Sequence, residues 1–194
     1  MTPIVLASTS PYRKELIEKL GLPFLIHKPV CDEDSYKLKI KDPLALAVTL
    51  AREKAKSLST NKNCVIGGDQ IVSMGNQIMG KPGSFEMACE QLQKMQGKTH
   101  RLITALCVIY ECREFPLLDV TEITMRPLTV RQIENYVKRD QPVDCAGSYK
   151  IEKSALTLIE NLKTQDFSAI QGVPLIGLTK ILSELGYTIP GDHL

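Results

Sequence analysis

Three observations predict an α/β fold built on a mixed β-sheet. First, strand-like apolar runs and helix-periodic stretches alternate through the early chain: Ile4-Val5-Leu6, a helix from Pro11, an extended segment over Pro23 to Val30, a helix from Asp42-Pro43, then Cys64-Val65-Ile66. That alternation favours parallel strands with crossover helices. Second, strand pairs follow, one turning at Gly75-Asn76 and one formed by His100 to Tyr110 and Leu117 to Leu128. Third, 194 residues, 43% hydrophobic and 24% charged, are enough for one well-cored domain over residues 1–194.

Each element has a local cause. Ser10 can cap the first helix, Pro11 fits its first position, and Leu16, Ile17 and Leu20 share a face that Gly21 can close. Asp42-Pro43 repeats the cap, and Leu44, Ala47, Val48, Ala51, Ala55 and Leu58 form a second apolar face with Lys54 on its flank. Cys64-Val65-Ile66 reads as a buried strand that ends at Gly67-Gly68-Asp69-Gln70 and resumes with Ile71-Val72. Gln77-Ile78-Met79 is its return strand. Ser84 caps a helix burying Ala88, Cys89, Leu92 and Met95, which Gly97 closes. Glu111 to Pro116 reads as a turn, and Thr129 caps a helix through Tyr136 and Val137. Gly172-Val173-Pro174-Leu175 opens the last helix, and the tail from Pro190 reads as loose.

A formal net charge of +2 makes no demand for a nucleic-acid polymer or a membrane as partner. No apolar run approaches the roughly 20 residues that span a bilayer, and no secretory signal is visible. The six cysteines include no C-x-x-C pair, which reads as reduced thiols in a cytoplasm.

The candidate site residues follow from misplaced charge. Arg13 and Lys14 occupy the first turn of the first helix, where the dipole prefers acids. With Ser8 and free backbone N–H groups this reads either as an anion site or as a capped surface helix with solvated cations. Cys31-Asp32-Glu33-Asp34 reads as an acidic loop, either solvated or turned to a metal ion. Lys54 either snorkels or is held toward a ligand. Asp69, behind two glycines and flanked by apolar residues, is the strongest candidate for a functional carboxylate. Gly75 to Pro82 nearly matches a P-loop, but Pro82 has neither the hydroxyl nor the N–H the motif needs. That excludes a P-loop ATPase and leaves Lys81 as a candidate phosphate ligand. His100 reads as structural, and Cys145 has no histidine motif to make it a nucleophile.

Together Leu6 to Ile17, Asp32-Glu33, Ala51-x-x-Lys54-Ala55, Gly68-Asp69-Gln70, Gly80-Lys81-Pro82, Cys145 to Tyr149 and Gly172 to Leu175 resemble the Maf nucleotide pyrophosphatases. The resemblance implies an elongated mixed sheet with flanking helices, in two lobes around a deep cleft, related in shape to the inosine-triphosphate pyrophosphatases. It implies hydrolysis of a nucleoside triphosphate to monophosphate and diphosphate with a divalent cation (Mg, Mn or Co), in the cytoplasm, and a possible homodimer. It makes Asp69 the proton acceptor, Glu33 and Asp69 the metal ligands, and Ser8, Arg13, Lys54 and Lys81 the phosphate ligands.

The base-reading positions are Tyr12, Gln70 and Glu152. This set resembles the subfamily acting on 7-methyl-GTP, with Tyr where a Trp is expected. A carboxylate and an aromatic face both favour a cationic methylated guanine, and an acid accepts from its N–H groups. Members acting on dTTP and UTP carry Arg, Thr and Gln at the same positions. A pyrimidine pyrophosphatase and a nucleotide-binding regulator of septum formation are the alternatives.

Overall fold

The computed structural model describes residues 2–192. In chain order the elements are β1 (Ile4–Ala7), α1 (Pro11–Glu18), β2 (Phe24–His27), α2 (Glu33–Lys39), α3 (Pro43–Lys56), β3 (Cys64–Met74), β4 (Gln77–Met79), α4 (Phe85–Met95), β5 (Thr99–Tyr110), β6 (Arg113–Met125), α5 (Val130–Asp140), β7 (Ile159–Lys163) and α6 (Leu175–Glu184). Short 3-10 turns fill the stretch between α5 and β7 and the approach to α6. The mixed α/β architecture expected from the sequence is the one that forms. The chain divides into two compact units.

The first unit comprises the residues through Gln70, Thr104–Asp119, and those from Asp166 onward. β1 is buried along its whole length and runs parallel to both β2 and β3, with Ile4 paired to Phe24 and to Cys64. Its two faces serve different helices. Ile4 and Leu6 pack with Leu16 and Ile17 of α1 and with Leu178 and Leu182 of α6. Val5 and Ala7 pack with Ala55 of α3 and Cys107 of β5. The period-2 alternation of a strand buried on both faces explains why this run is continuously apolar.

The second unit comprises Ile71–Ile103 and Val120–Gln165. The Gly75-Asn76 turn returns β4 antiparallel to the end of β3, pairing Val72 with Met79. α4 starts at its Ser84 cap and buries the expected Ala88, Cys89, Leu92 and Met95. Gly97 follows at φ +64°, a conformation glycine adopts without strain. Thr129 and Gln132 form a capping box at the start of α5, and β7 pairs antiparallel with β6.

Five local expectations change. The acidic stretch is helical, not a loop: Asp32 caps α2 by accepting from the Ser35 N–H, and Glu33 and Asp34 lie in the first turn, where the dipole favours acids. β3 runs unbroken through Gly67-Gly68. A Cβ at Gly67 would collide with the Ala51 carbonyl oxygen and the Ala55 nitrogen, so the glycine permits close contact with α3 and does not end the strand. α3 therefore buries Leu46, Leu50 and Lys54 beside Ala47, Ala51 and Ala55, while Leu44 stands 38% exposed. The turn before β6 shrinks to Glu111-Cys112, both at positive φ as a tight hairpin requires. The expectation of a loose tail fails at Gly191, whose N–H donates to the Leu20 carbonyl at 2.9 Å; residues 193 and 194 lie outside the described residues.

Candidate active site

Four charged side chains converge in the first unit. Lys54 leaves α3 and Asp69 leaves β3, and both are buried, at 7% and 8% exposure. The Lys54 Nζ donates to Asp69 Oδ1 at 2.7 Å and makes an ion pair with Glu33 Oε1 at 2.8 Å. Glu33, at the start of α2, also meets Lys37 Nζ at 3.5 Å. The close approach of α3 to Gly67 places Lys54 within reach of Asp69, two residues further along β3.

The β1–α1 junction contributes the second cation. Ser10 caps α1, accepting from the Arg13 N–H, and Ser8 Oγ accepts from the Ser10 N–H at 3.1 Å and from Arg13 Nη1 at 3.3 Å. Arg13 Nε donates to the Gly172 carbonyl at 3.2 Å, which ties the first helix to the turn before α6. The guanidinium is thus aimed by two fixed acceptors. Tyr12, beside it in the first turn, is half-buried.

Electrostatics follows from burial. Desolvation raises the Asp69 carboxyl above its ordinary pKa, outweighing the pull of Lys54 and Arg13 in the other direction; the Glu33 charge adds to the rise. For Glu33 burial also works upward, but the Lys54 hydrogen bond and the Lys54 and Lys37 charges prevail and hold it below the ordinary range. Burial lowers Arg13, opposed by Asp69 and Glu33, and the guanidinium stays charged. Two neighbouring carboxyls are therefore pushed apart: the deeper is the more basic, the shallower the more acidic.

The remaining expected residues have other surroundings. The Gln70 amide nitrogen donates to Thr104 Oγ1 at 2.9 Å and to the Ala169 and Ile170 carbonyls at 3.0 and 3.2 Å, so its N–H groups are engaged by β5 and by the turn before α6. Any contact it makes with a base falls to Oε1. Lys81 and Glu152 belong to the second unit, and both are exposed. Sequence reasoning missed the supports: Thr104, the Gly172 carbonyl and Asp166. Asp166 Oδ2 accepts from the Ile176 N–H at 2.7 Å and so caps α6 from outside it. Only Gly172-Val173-Pro174-Leu175, already singled out, pointed toward this region.

Among the described residues no cluster of three or more His, Cys, Asp or Glu is placed to hold a metal ion. The pair Glu33 and Asp69 still suits a hard divalent cation. Both carboxylates already share one cation, the Lys54 ammonium. Magnesium-type ions commonly take one or two carboxylates, waters and substrate phosphate oxygens.

Comparison with known proteins gives the family. The family model described as Maf-like protein matches residues 3–185. The chain belongs to the Maf-like family. It is 49% identical over 179 residues to a protein of Bdellovibrio bacteriovorus named 7-methyl-GTP pyrophosphatase, covering 92% of this chain and 95% of the relative. It is 40% identical over 190 residues to a protein of the same name from Nitrosococcus oceani, covering 96% and 94%. Among solved structures, a HAM1 protein from Coxiella burnetii shares the fold with a TM-score of 0.50 at 15% identity, covering 95% of this chain and 100% of its own. His100 and Cys145 take no part in the converging charges. Burial lowers His100 to about 4 and raises the Cys145 thiol to about 11, which suits neither to catalysis at neutral pH.

Proposed function

We propose that this protein is a nucleoside triphosphate pyrophosphatase that hydrolyses 7-methyl-GTP to 7-methyl-GMP and diphosphate in the cytoplasm, and so clears a modified nucleotide. The observation that carries the reading is the Glu33–Lys54–Asp69 constellation beside the Ser8–Arg13 helix start. Relatives covering nearly the whole chain bear the name of this activity. Its partner is the small-molecule nucleotide, and a homodimer belongs to the same reading. No helix among the described residues is long and apolar enough to cross a membrane.

Breaking the bond between the α-phosphorus and its bridging oxygen requires a water nucleophile and neutralisation of the departing diphosphate. Asp69 accepts the proton of the attacking water; its burial-raised basicity suits that task. Arg13 and Lys54 bind phosphate oxygens, with the Ser8 hydroxyl and the backbone at the start of α1 beside them. Lys81 is a further phosphate ligand. Glu33 and Asp69 would hold a divalent cation, which supplies charge neutralisation on the triphosphate when bound. Tyr12 and Glu152 favour the cationic methylated base, Tyr12 by its ring face and Glu152 by its charge, and Gln70 reads the base through Oε1.

A panel of 7-methyl-GTP, GTP, dTTP and UTP, each with Mg²⁺, Mn²⁺ or Co²⁺ and diphosphate detection, tests the reading. Preferential hydrolysis of 7-methyl-GTP, lost in Asp69→Asn without loss of fold, is the expected result. A clear dTTP preference overturns the substrate. Wild-type turnover in Asp69→Asn overturns the site.

A further inference from the structure

The Cys145-Ala146-Gly147-Ser148-Tyr149 segment belongs to the family signature, yet none of the chemistry above uses it. Within the second unit it lies against the loop that carries Lys81. That loop, Gly80-Lys81-Pro82-Gly83, is open beside both glycines: a Cβ at Gly80 or at Gly83 would meet nothing within 4 Å. Two hydrogen bonds bracket the lysine. On one side the Gly83 N–H donates to the Val143 carbonyl at 2.9 Å. On the other, Gln91 Nε2 donates from α4 to the Gly80 carbonyl at 3.1 Å.

Gln91 is itself held. Its Oε1 accepts from Ser148 Oγ at 2.7 Å. Ser148 is fully buried and holds φ +60°, a left-handed conformation that residues with a Cβ seldom adopt. Gly147 before it stands at φ +74°, where a Cβ would press Tyr149 and Val72 at 3.0 Å. These two consecutive left-handed residues aim the serine hydroxyl at α4. The segment is anchored beyond that point: Tyr149 OH meets His100 Nε2 at 3.1 Å, the Lys150 N–H donates to Tyr136 OH at 2.9 Å, and Lys150 Nζ pairs with Asp144 at 2.8 Å. Both ends of the lysine loop are therefore tied to one rigid stretch, directly at Gly83 and through Gln91 at Gly80.

We infer that Gln91 and Ser148 are positioning residues, a Ser148–Gln91–Gly80 strut that sets where Lys81 presents its ammonium to the triphosphate. The inference rests on the reading of Lys81 as a phosphate ligand. Lysine is a point charge on a flexible stem. Without a fixed backbone, ordering that stem must be done at the expense of binding. The strut also assigns a use to the signature serine that its lack of catalytic contacts leaves unexplained.

The test is a cycle in KM and kcat for 7-methyl-GTP, with thermal melting recorded for every variant. Gln91→Glu keeps the acceptor for Ser148 but turns a carboxylate oxygen onto the Gly80 carbonyl; Ser148→Ala removes the other end. Each is expected to raise KM about tenfold, the worth of one well-placed hydrogen bond. Neither change should add to the loss already present in Lys81→Ala, and kcat should move little. If Lys81→Ala is impaired while Gln91→Glu and Ser148→Ala keep wild-type KM, the strut is overturned and the Lys81 reading stands. If Lys81→Ala keeps wild-type KM, that reading falls and takes the strut with it. Fully additive losses in the double variants also overturn the strut, because a merely structural role predicts them.

Discussion

Replacing Lys54 by methionine isolates the energetics of the site, because methionine keeps most of the stem and deletes only the charge. In the wild type the ammonium sits 2.7 Å from Asp69 Oδ1 and 2.8 Å from Glu33 Oε1. At an effective dielectric near 20, a charge pair at the Asp69 distance has a direct attraction of roughly 6 kcal/mol, most of which offsets the cost of taking both ions out of water. The Glu33 contact counts for much less, since that side chain is 39% exposed and solvent screens it. Breaking one side of a buried pair typically costs about 3–5 kcal/mol, because the stranded charge keeps its desolvation penalty. Asp69 can escape that penalty by taking a proton.

The sign follows from its pKa. Asp69 is already raised above its ordinary 3.8 by burial, and loss of Lys54 raises it further. A raised folded pKa stabilises fully below the unfolded value and loses that stabilisation as pH rises through the folded value. Lys54→Met should therefore cost about 3–4 kcal/mol at pH 8 and at least ~1 kcal/mol less at pH 5. Urea denaturation of both proteins at the two pH values measures it. Lys54→Met combined with Asp69→Asn should recover much of the loss. A cost that is equal at both pH values, or under ~1 kcal/mol at pH 8, refutes the reasoning. Diphosphate release by Lys54→Met should fall by about 10²–10³ at either pH, as for loss of a preorganised charged donor.

Three further outcomes follow from the fold. Gly67→Ala should cost about 3 kcal/mol in chemical denaturation, because its methyl meets the backbone of α3. Gly68→Ala should cost less, since the nearest atom there is the movable tip of Leu106. His100 is buried, its Nδ1 has no hydrogen-bond partner among the described residues, and its pKa is lowered from 6.5 to about 4. A lowered folded pKa means stability is lost as pH falls from about 6.5 toward 4, by up to ~3 kcal/mol; His100→Gln should flatten that acid limb in urea midpoints measured from pH 7 to 4.5. Asp166→Ala should cost about 1–2 kcal/mol in thermal melting by uncapping the Ile176 N–H at the start of α6.

Much of the fold was legible because it rests on local rules. Caps at Ser10, Asp42, Ser84 and Thr129 start helices where the sequence places them. The run Ile4 to Leu6 and the Gly75-Asn76 turn give a buried strand and a hairpin for equally local reasons. Asp69 and Arg13 were also visible, one as a carboxylate in an apolar stretch and one as a cation at the wrong end of a helix. Periodicity erred where a neighbour decided the outcome. It turned α3 toward Leu44 and Val48, because it cannot register that Gly67 admits the helix along Ala51 and Ala55. It read Glu33 as part of a loop, because the Asp32 cap competes with an acidic run that is equally plausible in solvent.

Sequence by itself determined which residues are chemically able to act: a buried acid, a helix start carrying a cation, a lysine beside an apolar face and a rigid Gly-Lys-Pro turn. Tertiary structure decided what each one touches. It set Lys54 between two carboxylates, committed the Gln70 amide to the backbone before α6, tied Arg13 to Gly172, and joined Ser148 through Gln91 to the lysine loop. The physical reason is range. Capping and periodicity act within a few residues, whereas the Arg13–Gly172 bond spans 159 positions and the Ser148–Gln91 bond spans 57. Only the packed sheet brings such distant groups within hydrogen-bonding distance.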